Sequence, residues 1–383
     1  HENTIVFVSG EDIWSAPASG GAAVRLTIHD GAEVFPKFSP DGSMIAFTGN
    51  YDGNSDIYVM NAQGGGITRV TWHPSYDEVV GWHPVTGKII FNSARDAFNR
   101  FSNLYMVNPD GTGLEKLIMH EAVQGSFSPD GKRIAYNRIS RENRTWKRYK
   151  GGTAQEIFIF DFEKMADSKV TDFDGTDRIP MWIGDHIYFS SDRDKVLNIW
   201  RLDPATGAAE QMTSHTAYDI RRPSEGSGKI VYELGGDIWM LDIASGQTAK
   251  VDIRVNSDAP EIRPYIKEVA NRITDIDISP SGKRALVSAR GEVFTVPLEH
   301  GPTRNLTNSS GSREKDAVWS PDGSKIAYFS DASGEYEIWV RGTGPGNEAK
   351  KLTSHKDGYR HTIRWSPDSK KLAYTDQTLR CWW

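Results

Sequence analysis

The sequence predicts an all-β chain: a six-bladed β-propeller followed by the first blades of a second β-propeller. Three observations predict it. An aromatic-Ser-Pro-Asp-Gly phrase recurs along nearly all of the 383 residues. The 36 glycines and 18 prolines punctuate the whole length, as many short strands joined by tight turns require. The segments between them alternate and are rich in β-branched and aromatic residues, which suit a pleated surface.

The first phrase reads Phe38-Ser39-Pro40-Asp41-Gly42 and leads into Ile45-Ala46-Phe47. It returns at Phe127 to Gly131, at Trp319 to Gly323, and as Trp365-Ser366-Pro367-Asp368-Ser369. Degenerate copies stand at Trp82, Trp182, Pro223 and Ile278. Pro presets φ, Asp bonds the nearby backbone and Gly takes positive φ, so each copy is a turn between strands. A second phrase follows: an acid or Asn, an aliphatic residue, an aromatic. Examples are Asp12-Ile13-Trp14, Asp56-Ile57-Tyr58, Asn198-Ile199-Trp200 and Glu337-Ile338-Trp339. A third phrase, basic-aliphatic-Thr, closes most units, as in Arg25-Leu26-Thr27, Arg69-Val70-Thr71 and Lys351-Leu352-Thr353. Each unit therefore supplies about four short strands over ~40–45 residues, the period of a propeller blade. One blade cannot bury both its faces, so the repeated aromatics are expected to pack blade on blade.

Most spacings between successive anchors are 41 to 46 residues, and two are 55. The first long interval holds an insertion, Arg141 to Gly152. The second holds a polar connector, Val255 to Asn271, without a repeat phrase. These intervals predict residues 1–262 as the six-bladed propeller and residues 263–383 as two full blades and part of a third. Thr4-Ile5-Val6-Phe7 matches the second strand of a unit, so the first inner strand is expected to precede His1, and the chain to be a segment of a longer protein.

The net charge of −6 is spread evenly and makes no case for nucleic acid or a membrane surface. No apolar run approaches the ~20 residues of a membrane-spanning helix. The N-terminus has no basic start and no apolar stretch, so no signal peptide is visible. Cys381, the lone cysteine, cannot form an internal disulfide and is expected to be inert packing.

No Gly-x-Ser-x-Gly elbow, His-Glu-x-x-His or phosphate loop occurs, so no catalytic, cofactor-binding or metal residue is assigned. The ten histidines read as scattered, and Asp-Gly pairs as ordinary turns. Two places remain as candidate peptide-contact or channel residues. The insertion carries Trp146, Lys147, Arg148, Tyr149 and Lys150, either a basic loop that attracts peptide carboxylates or a structural hairpin extension. Arg221 and Arg222 open the inner strand of the sixth blade, where side chains either line the axis or lie in solvent.

The insertion Trp146-Lys147-Arg148-Tyr149-Lys150-Gly151-Gly152-Thr153, leading into Glu156-Ile157, resembles the matching loop of the tricorn protease family. Phe35 to Gly42, Ile187 to Asp194 and Gly301 to Thr307 are also similar to that family, and the resemblance spans essentially the whole chain. It implies a large cytosolic serine peptidase that trims oligopeptides and assembles as a homo-oligomer, a toroidal hexamer in its best-known form. It implies a six-bladed propeller first and a seven-bladed one second, both serving as channels, with the catalytic core on the C-terminal side of this segment. Basic side chains on the first propeller would hold the peptide's C-terminal carboxylate; here the turn around Pro74 to Glu78 has no arginine pair. The compartment implied is the cytoplasm, with the periplasm as alternative. Two other readings compete: a TolB-like propeller that recruits protein partners, and the propeller cap of a prolyl-oligopeptidase-type hydrolase.

Overall fold

The computed structural model describes residues 3–97, 101–142, 148–257, 265–344, 346–355 and 358–383. The second blade shows how the sequence phrases make a sheet. Its strands Glu33–Phe38, Met44–Gly49, Asp56–Asn61 and Thr68–Arg69 pair antiparallel in chain order. In the first turn, Ser39 Oγ donates to Asp41 Oδ1 (2.6 Å) and accepts from the Met44 backbone N–H (3.0 Å). Gly42 there has φ of 71°, which a side chain would strain. The same Ser-to-Asp bond recurs at Ser128, Ser320 and Ser366.

The second and third phrases meet across each sheet. The Thr71 hydroxyl accepts from the Ile57 backbone N–H (3.0 Å), and Arg69 pairs with Asp56 (2.6 Å). Thr27, Thr171, Thr213, Thr307 and Thr353 repeat the threonine bond at 2.8 to 3.1 Å. Arg25–Asp12, Lys169–Glu156 and Lys250–Asp237 repeat the ion pair. The threonine thus satisfies a backbone donor that the short outer strand leaves unpaired. Thr71→Val keeps the shape but orphans the Ile57 N–H. It should cost about 1–3 kcal/mol, read as a lower urea midpoint at unchanged slope; an unchanged midpoint would refute this role.

Residues 1–262 and 263–383 form two compact units. The first is a six-bladed β-propeller. Five blades have four strands each, with inner strands Glu33–Phe38, Asp77–Trp82, Gln124–Phe127, Asp177–Ile183 and Arg221–Gly226. The first blade has Thr4–Ser9, Asp12–Pro17 and Val24–Arg25. On every blade an aromatic of the second strand faces one of the third: Phe7 and Trp14, Phe47 and Tyr58, Phe91 and Tyr105, Tyr136 and Phe158, Phe189 and Trp200, Tyr232 and Trp239. These pairs stand on faces that bury against the neighbouring blade, for example Ala135, Ile157 and Ile159 of blade four against Trp182 and Phe189 of blade five.

The ring closes in two ways. Ile5 and Phe7 of blade one pack against Val231, Ile238 and Met240 of blade six. Outside them, Gly21–Ala22 pairs in parallel with Ile253–Arg254, and Gly21 N donates to the Asp252 carbonyl (2.8 Å). The approach depends on Gly20: a Cβ there would lie 2.7 Å from the Asp252 carbonyl oxygen, at φ of 88°.

The second unit holds two four-stranded sheets, beginning at Ile273–Ile278 and Glu314–Trp319, and a three-stranded sheet beginning at Arg360–Trp365. Leu286 and Val293 pack on Ile326 and Tyr328, and Ala327 and Phe329 on Ile363 and Tyr374, so its blades stack face to face as well. Cys381 is exposed on the short outer strand Cys381–Trp382, not packed as the sequence suggested. A strand of two residues at a sheet margin has no neighbouring blade face to enter.

Candidate functional site at the axis of the first propeller

The inner strands share a feature that re-aims their side chains. In blades two, five and six the ladder is interrupted by a bulge, at Phe35-Pro36, Ile179-Pro180 and Arg222-Pro223. The residue before each proline takes positive φ: 56° at Phe35, 53° at Ile179 and 45° at Arg222. Proline suits the bulge because no ladder hydrogen bond is asked of its nitrogen. Positive φ at a bulky residue is strained and is held by the surrounding sheet, a pattern that gathers at functional sites.

Around these bulges the starts of the inner strands collect charged groups. Arg221 and Arg222 are exposed, and the Arg222 guanidinium lies 4.6 Å above the Phe35 ring. Neither makes an ion pair or hydrogen bond with a carboxylate among the described residues. Arg178 is buried and its Nη1 lies 2.9 Å from Glu142 Oε2. Burial works against both charges of that pair: it lowers the Arg178 pKa and raises that of Glu142, while each partner's charge opposes the shift. Arg221 and Arg222 also act on Glu142.

Glu78, half-buried on the third blade, accepts a long hydrogen bond from the Tyr76 hydroxyl (3.3 Å). Burial pushes its carboxyl from 4.5 up to about 7, against the pull of Arg222 and the Tyr76 bond. Lys37 donates to Ser224 Oγ (2.8 Å) and so ties the inner strand of blade two to that of blade six. Burial lowers Lys37 and raises Glu225, each opposed by the other's charge. Glu225 is exposed.

Residues 1–247 match the family model of the tricorn protease N-terminal β-propeller domain. The chain belongs to the tricorn protease family. The tricorn protease homolog 1 of Streptomyces coelicolor is 26% identical over 376 residues, covering 94% of this chain and 34% of its own length. The tricorn protease of Thermoplasma acidophilum is 28% identical over 305 residues, covering 77% of this chain and 28% of its own. The crystal structure of the tricorn protease superposes on 98% of this chain and 46% of that one, with a TM-score of 0.64 at 21% identity. The chain thus spans about a third of the length of the curated relatives it matches. A TolB homologue of Chlorobium luteolum, 31% identical, aligns with 35% of this chain.

Within this tricorn propeller the candidates read from sequence separate. Arg221 and Arg222 stand exposed at the start of the inner strand of blade six, and Arg221 lies close enough to act on Arg178, which the sequence did not single out. Its signal was the Arg178-Ile179-Pro180 bulge, parallel to Arg221-Arg222-Pro223. In the insertion, Tyr149 lies under Arg141 (4.1 Å) and its hydroxyl accepts from the Thr153 hydroxyl (3.2 Å), so it staples the loop to itself. Lys150 pairs with Asp174 (3.2 Å) and Arg148 is exposed. Trp146 and Lys147 lie outside the described residues.

The histidines are less scattered than the sequence suggested. His29, His73, His215 and His355 each stand two residues after the threonine of the third phrase. His215 Nε2 meets the Tyr232 hydroxyl at 2.9 Å and His355 Nε2 the Tyr374 hydroxyl at 2.7 Å, each on the following blade. His29 packs on Tyr51 at 4.2 Å. His29, His215 and His355 are inter-blade struts, while the His73 ring accepts from the nearby Ser75 N–H (3.1 Å); reading the repeat two residues past its threonine would have found them.

Proposed function

We propose that the chain is the non-catalytic propeller portion of a tricorn-type serine peptidase, and that the axis of its first propeller guides oligopeptides by their C-terminal carboxylate. The observation that carries this is the pair Arg221 and Arg222, exposed at the axial strand ends beside Arg178 and without a carboxylate partner among the described residues. Guanidinium groups hold carboxylates in two-pronged, directional fashion, which orients a peptide as well as attracting it. In this reading Arg148 and Lys150 lie on the approach and raise the local concentration of peptide ends. The full-length parent assembles as a homo-oligomer in the cytoplasm, and the propellers serve as passage and scaffold; no helix among the described residues is long and apolar enough to cross a membrane.

Fluorescence anisotropy with a labelled oligopeptide and its C-terminally amidated twin tests the reading. The free acid should bind more tightly at low salt, and the preference should shrink as salt rises. Equal binding of the two peptides would end it. Light scattering on the full-length parent tests assembly, and a monomer would remove the scaffold role.

Acidity adds a second check. Above pH 7 Glu78 is ionised, competes for Arg222 and repels a peptide carboxylate; below it the group is neutral. Free-acid affinity should therefore rise from pH 8 to pH 6, and Glu78→Gln should flatten the profile. The same group has a stability signature. Its folded pKa, about 7, lies above the ordinary 4.5, so its contribution is full below 4.5 and is lost as pH climbs to about 7. A wild-type profile as flat as that of the Gln variant would remove Glu78 from the site.

A further inference from the structure

Glu142 reaches the arginine cluster from an insertion between two strands, where Asp219 and Asp192 also act on Arg178. It sits in the segment between the strands Arg133–Asn137 and Ile157–Asp161 of blade four, so no ladder hydrogen bond depends on where its side chain points. It meets Arg178 with one oxygen only: Glu142 Oε1, with Gln155 close by, and Arg178 Nε are buried and make no well-formed hydrogen bond among the described residues. A guanidinium and a carboxylate that met two-pronged would fill both vacancies. A contact of this kind is poorly compensated for the burial of its charges, and another carboxylate can replace it without stranding the arginine.

We propose that Glu142 is a built-in competitor for the axial arginines, its carboxylate holding Arg178 in the place that a peptide's C-terminal carboxylate takes when Arg178, Arg221 and Arg222 close on it together. This rests on the reading of the axis as a carboxylate site. Glu142 then sets a threshold: ligands with a free carboxylate displace it, and neutral-ended ligands leave it seated. It is a specificity-determining residue for the end group of the peptide, acting by occupation of the site.

The test compares wild type, Glu142→Gln, Glu142→Asp and the double variant Arg221→Gln/Arg222→Gln, each as the whole chain. The probes are the labelled free-acid peptide and its amide, and a thermal melt confirms folding of each variant. Glu142→Gln removes the competing charge and should tighten the free acid about tenfold, about 1.4 kcal/mol, with the amide unchanged. Glu142→Asp retracts the carboxylate by one methylene and should tighten it in the same direction, which keeps the test alive if the Gln variant folds poorly. If wild type prefers the free acid and neither Glu142 variant binds it more tightly, the competitor falls and the carboxylate site stands. If both Glu142 variants bind the free acid more tightly than wild type does, with the amide unchanged, the competitor is confirmed. If no variant discriminates, both ideas fall.

Discussion

Phe189→Ala should lower the stability of the first propeller by about 3–5 kcal/mol, the range for emptying a fully buried aromatic site. Phe189 has no solvent exposure and faces Trp200 across its own sheet. In the same cluster stand Ala135, Ile157 and Ile159 of blade four and Leu202 of blade five. Blades four and five are held by such faces and not by a shared strand, so the cavity would open between them, where β-sheets relax poorly. Denaturation followed by tryptophan fluorescence measures it. A loss below about 1 kcal/mol would mean that the interface collapses around the gap and that blade stacking is looser than the buried pairs imply. Phe189→Leu, which keeps most of the volume, should cost markedly less.

Arg221→Gln/Arg222→Gln should weaken binding of free-acid peptides by about tenfold to a hundredfold and leave amidated peptides alone. A hydrogen bond to a charged group contributes about 1.5–3 kcal/mol when sheltered and less in solvent, and two exposed arginines place the sum in that span. Glutamine keeps the length and polarity of the side chain but not its charge or fork. Both residues are exposed, so the melting temperature should hold. Unchanged affinity in the double variant would show that the arginines merely solvate the propeller face. Equal losses for acid and amide would show that they contact the peptide backbone and not its end.

The blades were legible because the three phrases carry their own chemistry. Ser-Pro-Asp-Gly makes its turn by bonds within six residues, and the threonine of the third phrase answers a backbone donor fourteen residues earlier. Such bonds are local, so they leave the same imprint on every repeat. Arg221 and Arg222 were legible as candidates for the same reason, because the repeat placed them at the start of an inner strand. Arg178 and Glu142 were not. One belongs to blade five and the other to an insertion in blade four, and their meeting depends on how two sheets stand side by side. The insertion drew notice for its basic residues, while its acidic one pairs with Arg178.

By itself the sequence determined the all-β class, the strand order within each blade and the count of six before the connector, because period and turn chemistry are properties of neighbouring residues. It also determined the family, whose model covers residues 1–247. Only the tertiary structure decided how the ring closes and which charged side chains of different blades meet. The parallel pairing of Gly21–Ala22 with Ile253–Arg254 and the Lys37–Ser224 bond join residues far apart in the chain. The bulges that turn Phe35, Ile179 and Arg222 out of the ladder are strained locally. They persist because the packed blades on either side leave the backbone no cheaper path.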